Sequence, residues 1–129
     1  MQLVHVLMAG GLVTTVACGG STSPIYGGGG GTGCTPTATK VCMAAATFNP
    51  TNLTITAGTP VTWQNGTAIT HTVTSSASST EAFSSGSVAG RGTFNHTFPT
   101  AGTYNYFCTI HGADGTPPIG MHGTITVQP

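Results

Sequence analysis

The chain is 129 residues long, enough for one domain, and sets two Lys/Arg against two Asp/Glu for a formal net charge of zero. Charged residues make up 3% of it, which removes both the basic footprint that a nucleic-acid binder needs and the field that steers a charged partner from a distance. Disorder throughout is excluded as well, because disordered chains are charge-rich and this one is rich in Thr, Val and Ile.

Residues 1–17, MQLVHVLMAGGLVTTVA, are apolar but shorter than the roughly 20 residues of a spanning helix. They read as the apolar part of a secretory signal ending in small residues before Cys18, although no Lys or Arg precedes the run. Thr15-Val16-Ala17-Cys18 resembles a bacterial lipoprotein cleavage box, with Thr15 where that box usually has Leu. Cys18 is therefore expected to be the lipidated first residue of the mature protein. The alternative is an ordinary signal cleaved nearby. Residues 18–42 are expected to form a flexible tether, because the stretch GGSTSPIYGGGGGTG at 19–33 has nothing to bury.

The remainder, 43–129, reads as short strands separated by turns. Thr47-Phe48 ends at Asn49-Pro50. Leu53-Thr54-Ile55-Thr56 alternates with period two, and Ala57-Gly58-Thr59-Pro60 punctuates it. Val61-Thr62-Trp63-Gln64 alternates again, and Thr70-His71-Thr72-Val73-Thr74 is β-prone. Residues 75–90 are Ser- and Gly-rich and read as a surface excursion. Gly92 to Phe98 alternates up to Pro99, Thr103 to Cys108 follows the Ala101-Gly102 turn, and Gly123 to Val127 closes the chain. Seven to eight short strands without a helix predict an all-β Greek-key sandwich. Leu53, Ile55, Val61, Trp63, Val73, Phe94, Phe98, Tyr104, Tyr106, Ile125 and Val127 are its expected core.

The chemistry concentrates in Cys108-Thr-Ile-His111, in Gly120-Met121-His122-Gly123, and in an upstream His71. Thiolate and imidazole are strong ligands for copper, and a thioether adds a weak axial one. Two residues between Cys108 and His111 let both side chains enter one pocket, and His71 closes it from another strand. His96 lies in mid-strand and reads as solvent-facing. His122, next to Met121, falls on the opposite face of its strand.

These residues occur in an order that resembles the plastocyanin-type cupredoxins, including auracyanin and amicyanin. The match runs through Phe48-Asn-Pro50, Leu53-Thr-Ile55, Ala57 to Trp63, Asn65, His71-Thr72-Val73, Phe83-Ser-Ser-Gly86, Phe94, Thr97-Phe98 and Gly102-Thr103-Tyr104. It closes with Tyr106-Phe107-Cys108-Thr-Ile-His111 and Gly120 to Val127. The resemblance implies one copper held by His71, Cys108 and His111 with Met121 as axial ligand, and a Thr72 amide donating to the cysteine sulfur. About four residues separate the second His from the Met in that family. Here the nine residues 112–120 do, as a polar, Pro-rich loop that bulges outward; the alternative is that Asp114 supplies an oxygen ligand.

The resemblance further implies a one-electron carrier and not an enzyme, and with the leader and Cys18 the chain reads as an exported monomer anchored outside the membrane. Its partners would be cytochromes or membrane electron-transfer complexes. The competing reading is a copper-binding protein for storage or delivery. A multicopper enzyme would need paired His-x-His segments, and the chain has none. In an exported protein Cys34 and Cys42 are expected to pair; otherwise they stay free or pair between chains.

Overall fold

The computed structural model describes residues 33–129. The expected signal, tether glycines and Cys18 lie outside the described residues. Nine strands follow in chain order: β1 Lys40–Met43, β2 Phe48–Asn49, β3 Asn52–Thr56, β4 Pro60–Asn65, β5 His71–Ser75, β6 Ser84–Val88, β7 Thr93–Thr97, β8 Gly102–Ala113 and β9 Ile119–Gln128. They form a four-stranded sheet in the order β2-β1-β4-β7 and a five-stranded sheet in the order β3-β9-β8-β5-β6. No helix occurs among the described residues.

Alternation decides which side chains the sheets trap between them. In β3, Leu53 and Ile55 are buried while Asn52, Thr54 and Thr56 are exposed. In β4, Val61, Trp63 and Asn65 point inward. In β9, Met121, Gly123, Ile125 and Val127 do the same. Trp63 is the hub of the core. Its ring meets Tyr106 edge-on at 5.4 Å and Phe98 at 6.3 Å, with Phe94 at 5.6 Å. A large apolar side chain buried here contributes about 1.5–3 kcal/mol, and each favourable ring pair adds about 0.5–1.5 kcal/mol. Every expected core residue is buried except Phe94, which is half-buried on the edge strand β7 and packs against the others.

The Ala57-Gly58-Thr59 signal is a tight turn. Thr59 N–H donates to Thr56 O at 3.2 Å, and Gly58 sits at φ +82°, where a side chain would be strained.

The strand count exceeds the expected seven to eight in two places. β1 begins inside the stretch expected as tether. It lies between the two-residue β2, antiparallel, and β4, parallel with Lys40 opposite Thr62, and a four-residue strand beside so short a neighbour shows no repeating pattern. β6 lies within the expected surface excursion 75–90. Its sequence SSGSV has little strand preference, and it forms as an edge strand on β5, with Ser85 Oγ accepting from Val73 N–H at 2.8 Å. The 112–120 segment also differs from a simple loop: β8 and β9 both run into it, pairing Gly112 with Gly120 and Ala113 with Ile119.

Candidate metal centre

His71 is the first residue of β5, and Cys108 and His111 lie in β8. Across to β9, the β8 register holds through Phe107, breaks, and resumes at Gly112. The break frees residues 108–111 from the ladder and turns both donors toward His71. The resulting cluster has Cys108 Sγ 3.8 Å from His71 Nδ1 and 3.5 Å from His111 Nδ1. The three donor atoms all lie within 4.8 Å of one another, and the two imidazole rings are 4.8 Å apart. His71 and Cys108 are fully buried, whereas His111 keeps part of its ring at the surface. Burial, and secondarily the neighbouring His111, hold the His71 pKa below the ordinary imidazole value, so the ring presents a free lone pair at neutral pH.

Side chains around the cluster replace the missing ladder. Thr72 N–H donates to Cys108 Sγ at 3.4 Å, and Thr109 N–H donates to Thr72 Oγ1 at 2.8 Å. Thr67 Oγ1 lies 3.4 Å from His71 Nε2. Asn65, fully buried, organises the loop that carries Thr67. Its Oδ1 accepts from Thr67 N–H at 2.9 Å and Thr67 Oγ1 at 2.8 Å, and its Nδ2 donates to the carbonyls of Ile69, Val88 and Ala89. Neither Asn65 nor Thr67 carried a role in the sequence reading. The signal that was available is the Asn-Gly-Thr run at 65–67, which favours a side-chain-supported turn.

Met121 is fully buried, in β9 beside β8. Asp114 is turned elsewhere: its two carboxylate oxygens accept from Ala77 N–H, each at 3.2 Å. His96 is remote from the cluster and half-buried, not simply solvent-facing. It stacks on Phe83 with ring centres 5.0 Å apart and bonds Glu81 Oε1 at 2.9 Å. His122 turns away from the Met121 face and donates through Nδ1 to Gly120 O at 2.9 Å. Cys34 and Cys42 are joined in a disulfide with Cα atoms 5.7 Å apart, tying the segment before β1 to β1 itself. At that end Gly33 N–H donates to Gly66 O, so the described chain starts beside the loop that holds His71.

A buried thiol with two imidazole nitrogens converging on it, in a sheet-bound frame, is a donor set that suits copper. The comparisons with known proteins agree. The family described as copper binding proteins, plastocyanin/azurin family, matches residues 35–128, and the chain belongs to that family. Plastocyanin from Scenedesmus fuscus is 40% identical over 92 residues, which cover 65% of this chain and 89% of that protein. An oxidised amicyanin variant superposes with a TM-score of 0.60 at 29% identity, covering 70% of this chain and 82% of its own. A purple cupredoxin from Nitrosopumilus maritimus superposes with a TM-score of 0.55 at 26% identity, covering 69% and 98%. Members of this family bind one copper and are electron carriers, not enzymes.

Proposed function

We propose that this chain is a type 1, or blue, copper protein in which His71, Cys108 and His111 hold the metal and Met121 is the weak axial ligand. The observation that carries this reading is the convergence of three donors of the right chemistry within 4.8 Å, two of them fully buried. Copper held by such donors supplies one-electron chemistry with an intense thiolate charge-transfer band. The protein's own part is to keep the donors in place and expose one edge. Thr72 N–H donates to the sulfur and so tunes its electron density. The partly exposed His111 ring is the short route between the centre and a partner. Beside that ring Ile110 and Ile119 are 52% and 65% exposed, an apolar rim for docking.

The partners of this reading are cytochromes or other redox proteins at a membrane. The protein acts as an exported monomer, anchored through lipid on Cys18 and swinging on its glycine tether. The small residues before Cys18 and the glycine-rich stretch after it in the sequence support this reading. Replacing Cys108 with Ser is the direct test: the strong visible band disappears. A Cys108→Ser protein with full colour sinks the assignment, and a colourless wild-type copper complex favours delivery over electron transfer. Intact-mass analysis of membrane-extracted protein tests the anchor. The expected species lacks residues 1–17 and carries a diacylglyceryl group; a mature chain starting elsewhere without the adduct overturns it.

A further inference from the structure

The segment joining His111 to Met121 is tied down at its tip. The Asp114 carboxylate accepts from Ala77 N–H through both oxygens at 3.2 Å, and its Oδ1 also accepts from Gly115 N–H at 2.8 Å. The Ser76 hydroxyl donates to Gly115 O at 3.3 Å. Ser76 and Ala77 begin the turn after β5, the strand that starts with His71. That turn is itself anchored. Ser76 N–H donates to Asn105 O at 2.8 Å, Ser76 Oγ meets Ser78 Oγ at 2.7 Å, and Asn105 Nδ2 donates to Ser78 Oγ at 3.1 Å. Asn105 Oδ1 accepts from Thr124 Oγ1 on β9 at 2.9 Å. A continuous set of hydrogen bonds thus runs from the hairpin tip through the end of β5 to β8 and β9.

At the other end of the hairpin the backbone leaves no slack. Gly120 sits at φ +72°, and a Cβ there would lie 2.7 Å from His111 O; a Cβ on Gly112 would lie 2.8 Å from Ile119 O. The pairs Gly112–Gly120 and Ala113–Ile119 make the arm a short stiff ribbon. A ribbon fixed at its tip transmits that fixation to both its roots, and its roots are His111 and Met121.

We propose that Asp114 is a positioning residue: its carboxylate clamps the hairpin tip to the turn after β5 and so sets how His111 and Met121 are presented to the donor cluster. This role rests on the copper reading above, with Met121 as axial ligand. It also assigns the acidic side chain of the long 112–120 insertion to a task other than metal ligation.

The test uses the full chain with Asp114→Ala, Asp114→Asn and Asp114→Glu. In metal-free protein, amide exchange at Ala77 and Gly115 is expected to rise about tenfold in Asp114→Ala, the low end for a hydrogen bond to a charged group because the site is exposed. In copper-loaded protein, the relative intensities of the visible bands and the reduction potential shift with it. Asp114→Asn keeps an acceptor oxygen and restores both readouts toward wild type. Asp114→Glu keeps the charge but lengthens the clamp by one methylene, and it shifts the potential as Asp114→Ala does. Wild-type bands and potential in Asp114→Ala, or in Asp114→Glu if the alanine variant does not fold, overturn the proposal. Failure of Asp114→Asn to restore either readout overturns it too. A wild-type protein that takes up copper without colour sinks the copper reading and the positioning role with it, while the exchange measurement still decides whether the clamp exists.

Discussion

The His71 ring is held on both edges, by the cluster at Nδ1 and by Thr67 Oγ1 at Nε2, and Thr67 in turn depends on Asn65. Asn65→Ala removes both bonds that Thr67 makes to the Asn65 side chain and takes the amide donor away from the buried Val88 carbonyl. The bond lost from the buried Val88 carbonyl and the lost turn bonds together cost about 2 kcal/mol, less than the sum of single bonds because Ile69 and Ala89 are exposed enough for water to substitute. Thermal unfolding of the metal-free variant is expected to show a Tm lower by roughly 10 °C. A Tm within a degree or two of wild type would show that the loop holds itself. The donors of the cluster were legible in the sequence because few residue types bind copper and their order was informative. The work of Asn65 was not, since its acceptors at positions 69, 88 and 89 meet only in the folded chain.

Among the elements, the alternating strands β3, β4 and the second half of β9 declared themselves, because a half-buried strand must alternate. β1 and β6 did not. One is four residues between a two-residue neighbour and the parallel β4, and the other is serine-rich and stabilised by what it pairs with. The hairpin between His111 and Met121 was legible only as an insertion, since proline and glycine hid the two paired rungs at its base. β1 makes a further expectation quantitative. The Cys34–Cys42 bridge closes a separation of eight residues, which by loop entropy stabilises the fold by about 2.5 kcal/mol. Neither cysteine of the bridge bonds a donor of the cluster, so Cys34→Ala is expected to lower the denaturant midpoint accordingly while leaving the visible band unchanged. Loss of the band on removing this bridge would show that the N-terminal clip shapes the centre itself.

At the scale of the whole molecule the scarcity of charge governs recognition. All four charged side chains, Lys40, Glu81, Arg91 and Asp114, lie in the described residues. Glu81 bonds His96, Asp114 holds the hairpin tip, and Lys40 stands in β1 in the other sheet from the donors. Arg91 is the exception with a bearing on docking. It holds a positive φ of 67°, and its guanidinium donates to Gly66 O at 2.9 Å, beside the loop that supports His71. One guanidinium is too little to steer an encounter, whereas the isoleucines around His111 offer an uncharged surface whose affinity comes from burial. Steered pairs gain a factor of about 10 to 1,000 in association rate and lose it steeply as salt rises. Stopped-flow electron transfer to a redox partner, measured from low to high ionic strength, is therefore expected to change by less than about tenfold, the lower bound of that range. Arg91→Gln should flatten the remaining slope, and Ile119→Ser should slow the reaction at every salt concentration by removing apolar contact. A rate that collapses with added salt in the Arg91→Gln protein would place recognition on charges other than this one and overturn apolar docking at His111.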